Sequence, residues 1–144
     1  MKVLAFDPGE TTGWAFLMPG PGPSTSTSPV CGEFPTWQDV RSLIELYSPQ
    51  MIVLEEFRLR PRAAFALTWT TFPTIEVIGV IKFLADDFNI PYRTQTAAQA
   101  KVYRLQPLSG ITNHAGDALR HAICCQRTLG HFAKYKHLIR RDRG

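Results

Sequence analysis

The strongest constraint on this chain is its opening stretch, Lys2-Val3-Leu4-Ala5-Phe6-Asp7-Pro8-Gly9. Strand-type sequence runs into a carboxylate and a Pro-Gly turn. After Glu10-Thr11-Thr12-Gly13 comes a second apolar run, Trp14-Ala15-Phe16-Leu17-Met18. Strand, tight turn and strand is the economical reading. It leaves Asp7 where the first strand emerges from the core, with Gly9 and Gly13 letting backbone or ligand approach closely. A carboxylate there is costly unless something pairs with it, and a cation is the obvious partner. Asp-Pro-Gly also opens ordinary turns, so this stretch by itself leaves turn and site both open.

The rest of the chain supplies elements to pack around that strand. Residues 19–29 are rich in Pro, Gly and Ser and read as a long hairpin connection to a third strand near 30–34. A helix is expected over 36–47, because Val40, Leu43, Ile44 and Tyr47 share one face and Ser48-Pro49 stops it. Met51-Ile52-Val53-Leu54 is apolar throughout and too short for a helix, the signature of a buried central strand. It delivers Glu55 and Glu56 at its end. Arg58, Arg60 and Arg62 follow at every second position and share one side if extended. Residues 73–88 pattern as a helix with Val77, Ile81, Leu84 and Phe88 on one side and Pro73 in its first turn. A short strand at 91–93 and a short helix at 97–102 carrying Lys101 come next. The last helix starts at Thr112 or Asn113 and runs to about Leu129. At 100° per residue, His114, Asp117, His121 and Cys125 fall within roughly 80° of one another. Ala115, Ala118 and Ala122 beside them form a small-residue strip that can approach a sheet closely. The helix dipole further favours an anion near its start. This order predicts a mixed α/β sheet with helices on its faces.

Bulk properties set the class. The chain has 144 residues, 44% hydrophobic and 19% charged, enough for one globular domain with a real core. No apolar stretch approaches the roughly 18 residues that span a membrane. The N-terminus reads as a strand and not as a signal segment, so a cytoplasmic location and no membrane partner are expected. Cys31, Cys124 and Cys125 have neither disulfide-framework nor zinc-site spacing and read as reduced thiols. Residues 131–144 hold Lys134, Lys136, Arg140, Arg141 and Arg143 against Asp142, which accounts for the whole net charge of +4. The division is therefore a domain over 1–130 and a basic tail over 131–144, and a basic tail suggests a polyanion partner.

Asp7, Glu55 with Glu56, and His114 with Asp117 all sit at element ends. If the first and fourth strands are parallel neighbours, Asp7 and Glu55 come close together and repel unless protonated or bridged by metal. Asp7, Glu55, Asp117 and His114 suit two divalent ions about 3.5–4 Å apart, as in two-metal nucleases. Oxygen-rich ligation argues for Mg²⁺, and one imidazole moves the balance towards Mn²⁺. Zinc is disfavoured, because no thiolate is placed among these ligands.

Asp7 after its strand with Gly9 and Gly13, Ile52-Val53-Leu54-Glu55, and His114-Ala115-Gly116-Asp117-Ala118-Leu119 resemble the motifs of RuvC-type Holliday junction resolvases. These enzymes belong to the ribonuclease H-like superfamily. Gly79 in Glu76-Val77-Ile78-Gly79-Val80, and Ile90-Pro91 with Lys101, resemble further family features, so the likeness covers residues 1–129. It implies a five-stranded mixed sheet, three antiparallel strands then parallel ones, with helices on both faces. It also implies Asp7, Glu55, His114 and Asp117 as the catalytic metal set, with Lys101 near the scissile phosphate. Glu55 is preferred to Glu56 because it follows the apolar run directly.

The implied activity is paired nicking of a four-way DNA junction by a homodimer, leaving 5′-phosphate and 3′-hydroxyl ends. Dimerisation would use helix 73–88. Arg58, Arg60, Arg62, Lys101, Phe57, Lys134, Lys136, Arg140 and Arg141 are the expected DNA contacts. Phe65 and Trp69 rival Phe57 as the aromatic that wedges into the junction. Only residues 103–113 separate the Lys101 region from the last helix, less than the family usually has there. Compact chains of this kind resemble phage-encoded members, which implies a bacterial host cytoplasm. Three other readings stay open. One is a related nuclease acting on flaps, forks or structured RNA. Another is a junction-binding protein without catalysis. The third is an actin-like ATPase fragment, suggested by Asp7-Pro8-Gly9 and Thr11-Thr12.

Overall fold

A computed structural model describes residues 1–18, 28–58, 72–105 and 110–129. Its elements, in order, are β1 (Val3–Asp7), β2 (Thr11–Leu17), β3 (Val30–Pro35), α1 (Val40–Tyr47) and β4 (Met51–Glu55). After these come α2 (Pro73–Asp87), β5 (Tyr92–Gln95), α3 (Ala97–Lys101) and α4 (Asn113–Thr128). The five strands form one sheet in the order β3-β2-β1-β4-β5. β1 pairs antiparallel with β2, and β2 with β3. β4 lies parallel to β1, and β5 parallel to β4. This is the expected mixed sheet.

Side chains alternate across a strand, and this alternation divides the core in two. On one face Val3, Ala5, Ala15, Leu17, Met51 and Val53 pack against Ala118, Leu119, Ala122, Ile123 and Cys125 of α4. On the other, Leu4, Phe6, Phe16, Ile52 and Leu54 pack against Val40 and Ile44 of α1 and Val77, Ile81 and Leu84 of α2. Helices therefore cover both faces. β1 and β4 are buried on both sides, which is why their sequences are apolar without alternation.

The element ends differ from the sequence expectations in informative ways. β2 begins at Thr11, not Trp14, because Thr11, Thr12 and Gly13 find ladder partners in Pro35, Phe34 and Glu33 of β3. The first turn therefore spans only Pro8 to Glu10. The buried Thr12 hydroxyl donates to the Thr36 carbonyl (2.6 Å) and accepts from the Gly9 N–H (3.3 Å), and Thr36 N–H donates to the Glu10 carbonyl (2.9 Å). Thr36 is thereby held at φ 48°, outside the helical region, and α1 starts four residues later at Val40. β5 runs to Gln95, two residues beyond the expected end. Pro73 opens α2 as expected, and Asn89, at φ 54°, follows its end. Thr112 caps α4 by accepting from the Ala115 N–H (3.4 Å).

All three cysteines are free, with Cys124 and Cys125 buried. No helix among the described residues is long and apolar enough to cross a membrane. Most of the 19–29 loop, Arg60, Arg62, Phe65, Trp69 and the basic tail with Lys134, Lys136, Arg140 and Arg141 lie outside the described residues.

Candidate active site

The site follows from strand parity. β1 and β4 run side by side with Phe6 opposite Leu54, so Asp7 and Glu55 are the next residues on each strand. Asp7 shares the parity of Val3 and Ala5, and Glu55 that of Met51 and Val53, all of which face α4. Both carboxylates therefore belong to the α4 side of the sheet. Glu56 has the opposite parity, and its carboxylate instead pairs with Arg58 (3.0 Å).

Gly13 brings α4 down onto these residues. It lies opposite Asp7 in the β1–β2 ladder. A Cβ on Gly13 would stand 2.1 Å from the His114 carbonyl oxygen and 2.7 Å from the Ala115 nitrogen. Only a residue without a side chain lets the helix start rest on β2 in this way. The sequence left open whether this glycine made room for backbone or for ligand; it makes room for backbone. The result is direct contact, with His114 Nδ1 3.0 Å from Asp7 Oδ2.

Each candidate acid has its own partner on α4. Asp7 is bonded to His114. The half-buried Asp117 forms an ion pair with Arg120, whose Nε also donates to the Tyr103 carbonyl (3.2 Å). Glu55 Oε2 lies 3.0 Å from Nε2 of His121, a side chain only 1% exposed. On its other side His121 Nδ1 meets the Gln95 side chain at 3.0 Å. His121, Gln95 and Arg120 were not among the predicted site residues. The helical wheel did place His121 on the face of His114 and Asp117, which was the one signal available for it.

The electrostatics mark Asp7 as the strained member. Burial raises its pKa above the ordinary 3.8, the His114 hydrogen bond opposes this, and the charges of Glu55 and Asp117 add to the rise. His114 is shifted upward in turn, chiefly by its hydrogen bond to Asp7. Asp7 thus feels both other acids while its carboxylate is bonded to His114.

No group of three or more His, Cys, Asp or Glu side chains among the described residues is arranged to hold a metal ion. Each acid oxygen named above instead faces a nitrogen donor. The donor set nevertheless suits a hard divalent cation in kind, with three carboxylates and one imidazole. A cation beside Asp7 would also offset the desolvation and the neighbouring negative charge that raise its pKa.

A cleft of about 550 Å³ opens at the ends of β1 and β4, lined by Asp7, Glu55, Phe57, Arg58, Thr74 and Thr96 among others. Phe57 and Arg58 thus border the cleft. The Phe57 ring also lies 6.2 Å from that of Phe72. Lys101 is exposed on the last turn of α3, whereas this helix meets the cleft through its other end, at Ala97 and Ala98.

No family model matches the chain, and no curated protein matches it in sequence. Solved structures do. The chain superposes on Thermus thermophilus RuvC with a TM-score of 0.68 at 14% identity, over 91% of this chain and 98% of that one. Against T. thermophilus RuvC in complex with a Holliday junction substrate the values are 0.63 and 13%, over 96% and 98%. Against the yeast mitochondrial Holliday junction resolvase they are 0.54 and 13%, over 94% and 81%. The fold is that of RuvC. It is the ribonuclease H-like architecture, and at such identities the likeness extends to the fold alone.

Proposed function

We propose that this protein is a metal-dependent, structure-selective DNA endonuclease that resolves four-way junctions by paired nicks. The observation that carries the reading is the meeting of Asp7 and Glu55, on adjacent parallel strands at one cleft, with His114 of α4 bonded to Asp7 and Asp117 within its electrostatic reach. The RuvC fold adds weight, since the T. thermophilus relative is described in complex with a Holliday junction substrate.

Asp7, Glu55, Asp117 and His114 would hold Mg²⁺ or Mn²⁺. When bound, such an ion would supply water activation and charge stabilisation at the leaving 3′ oxygen, the chemistry that yields 5′-phosphate and 3′-hydroxyl ends. Asp7, desolvated and within reach of both other acids, would be the central ligand. Glu55 reaches the cleft from β4 while its inner oxygen is held by His121. Phe57 and Arg58 on the cleft wall meet the DNA, with Arg58 free to exchange its exposed pairing with Glu56 for a phosphate. Lys101, Arg60, Arg62 and the tail residues Lys134, Lys136, Arg140 and Arg141 extend that contact. Two copies are needed for paired nicks. The exposed Ile75 and Phe83 give α2 the apolar surface for a homodimer.

The test is cleavage of a labelled four-way junction, beside flap, fork and RNA substrates, in Mg²⁺ or Mn²⁺. Asp7→Asn, Glu55→Gln and Asp117→Asn should each abolish nicking while junction binding persists. Wild-type rates in any of them would remove that residue from the site. Preference for another substrate in the panel would replace the junction reading.

A further inference from the structure

The inner oxygen of Glu55 has a partner that the metal chemistry does not call for. His121 is 1% exposed, with Nε2 3.0 Å from Glu55 Oε2 and Nδ1 3.0 Å from the Gln95 amide. Gln95 stands opposite Glu55 in the parallel β4–β5 register, so β4, β5 and α4 all converge on this one imidazole.

Which end of the Gln95 amide faces the ring decides where its proton sits. With the amide oxygen towards the ring, that oxygen would also face the His121 carbonyl, and the amide nitrogen would face the Cys125 N–H. Acceptor would meet acceptor, and donor would meet donor. Turned over, the amide nitrogen donates to His121 Nδ1 (3.0 Å) and to the His121 carbonyl (3.1 Å), and the amide oxygen accepts from the Cys125 N–H (3.3 Å). An accepting Nδ1 leaves the ring's single proton on Nε2, aimed at Glu55.

We infer that His121, fixed by Gln95, is the positioning residue for Glu55. It is a neutral Nε2–H donor that holds one carboxylate oxygen and leaves the other oxygen, with the negative charge, to a cation in the cleft. The donor fixes the rotamer of Glu55, the arrangement by which outer hydrogen bonds orient metal-binding carboxylates. The inference rests on the reading of Glu55 as a metal ligand.

The test needs no DNA. Mn²⁺ alone is titrated calorimetrically into the metal-free wild type, His121→Leu, His121→Gln and Glu55→Gln. His121→Leu removes the donor at similar volume and should weaken Mn²⁺ binding about 10–100-fold. His121→Gln, which offers an amide N–H near the Nε2 position, should recover most of that deficit. ¹⁵N-correlated NMR of the wild type should show His121 protonated on Nε2 and bare on Nδ1. Wild-type Mn²⁺ affinity in His121→Leu alongside abolished affinity in Glu55→Gln overturns the positioning role alone. A proton on Nδ1 overturns it too, whether or not the variants fold. Undiminished affinity in Glu55→Gln overturns the metal reading, and the positioning role with it.

Discussion

Gly13→Ala tests the packing on which the whole site depends. The new Cβ would stand 2.1 Å from the His114 carbonyl oxygen and 2.2 Å from the His114 carbonyl carbon, against an ordinary contact of 3.4 Å or more. Clearing that overlap requires the helix start to retreat by about 1.3 Å, since both sides of the contact are backbone and no flexible side chain can give way. Overpacking of this kind costs about 1–3 kcal/mol, and rigid surroundings put this case near ~3 kcal/mol. For a chain of this size the melting temperature falls by about 3 °C per kcal/mol, so a drop of roughly 10 °C is expected. The same retreat stretches the 3.0 Å His114–Asp7 contact beyond hydrogen-bond range. A misplacement of about 1 Å can lower a catalytic rate about 100-fold. Gly79→Ala is a control for stability alone, because a Cβ there meets nothing within 4 Å in the chain, on an exposed turn of α2 between Ile75 and Phe83 of the proposed homodimer face. It should stabilise by up to about 1 kcal/mol. Differential scanning calorimetry reads the first effect and junction cleavage the second. A Gly13→Ala protein that melts with the wild type would refute the close approach of α4 to β2.

Asp7→Asn should raise the melting temperature in EDTA at pH 7 while removing activity. The native Asp7 pKa lies above 3.8, so its ionisation costs stability above that pH, and the gain on substitution should vanish as the pH falls towards 3.8. A destabilised Asp7→Asn protein would contradict that sign. His114 has the opposite consequence for its partner. Its native pKa is raised above 6.5, so its pairing with Asp7 stabilises below pH 6.5 and the benefit is lost as pH rises through the native value. The stability gap between wild type and His114→Ala, from urea unfolding, should therefore be wider at pH 6 than at pH 9, and an equal gap would exclude the charged pairing. Removing residues 131–144 takes away five basic side chains. The slope of log affinity against log salt for duplex DNA should then flatten by about 0.9 for each phosphate that the tail neutralises, and an unaltered slope would leave the tail outside the interface.

Much of this architecture was legible because burial writes itself into sequence. β1 and β4 are apolar at consecutive positions because both sheet faces are covered, and that marked them as buried neighbours with Asp7 and Glu55 at their ends. The shared face of the two acids needs the β1–β4 register. The α4 wheel put His114 and Asp117 together. Other features depend on contacts between distant segments. Glu10-Thr11-Thr12-Gly13 looks like a turn because its strand character comes from pairing with β3. Thr36 looks like a helix start until Thr12 and Glu10 hold it in a turn. Gln95 becomes a partner of His121 only through the β4–β5 register, which no local pattern contains.

The charges at this end of the sheet give the site its physical logic. Asp7, Glu55 and Asp117 are three carboxylates within electrostatic reach of one another. Arg120 balances Asp117, and His114 balances Asp7 only while it carries a second proton. His121, as the neutral donor inferred above, balances nothing. The group is then left with about one negative charge when His114 is protonated and about two when it is not. Apolar side chains of similar size would make this edge more stable, so the unrelieved charge is a local conflict with no structural benefit. Conflicts of that kind are kept where a ligand resolves them. The divalent cation proposed above would match the remainder in charge. Because the upward-shifted His114 holds its proton against that cation, loading should become easier as pH rises, releasing the Asp7 oxygen that the imidazolium otherwise occupies.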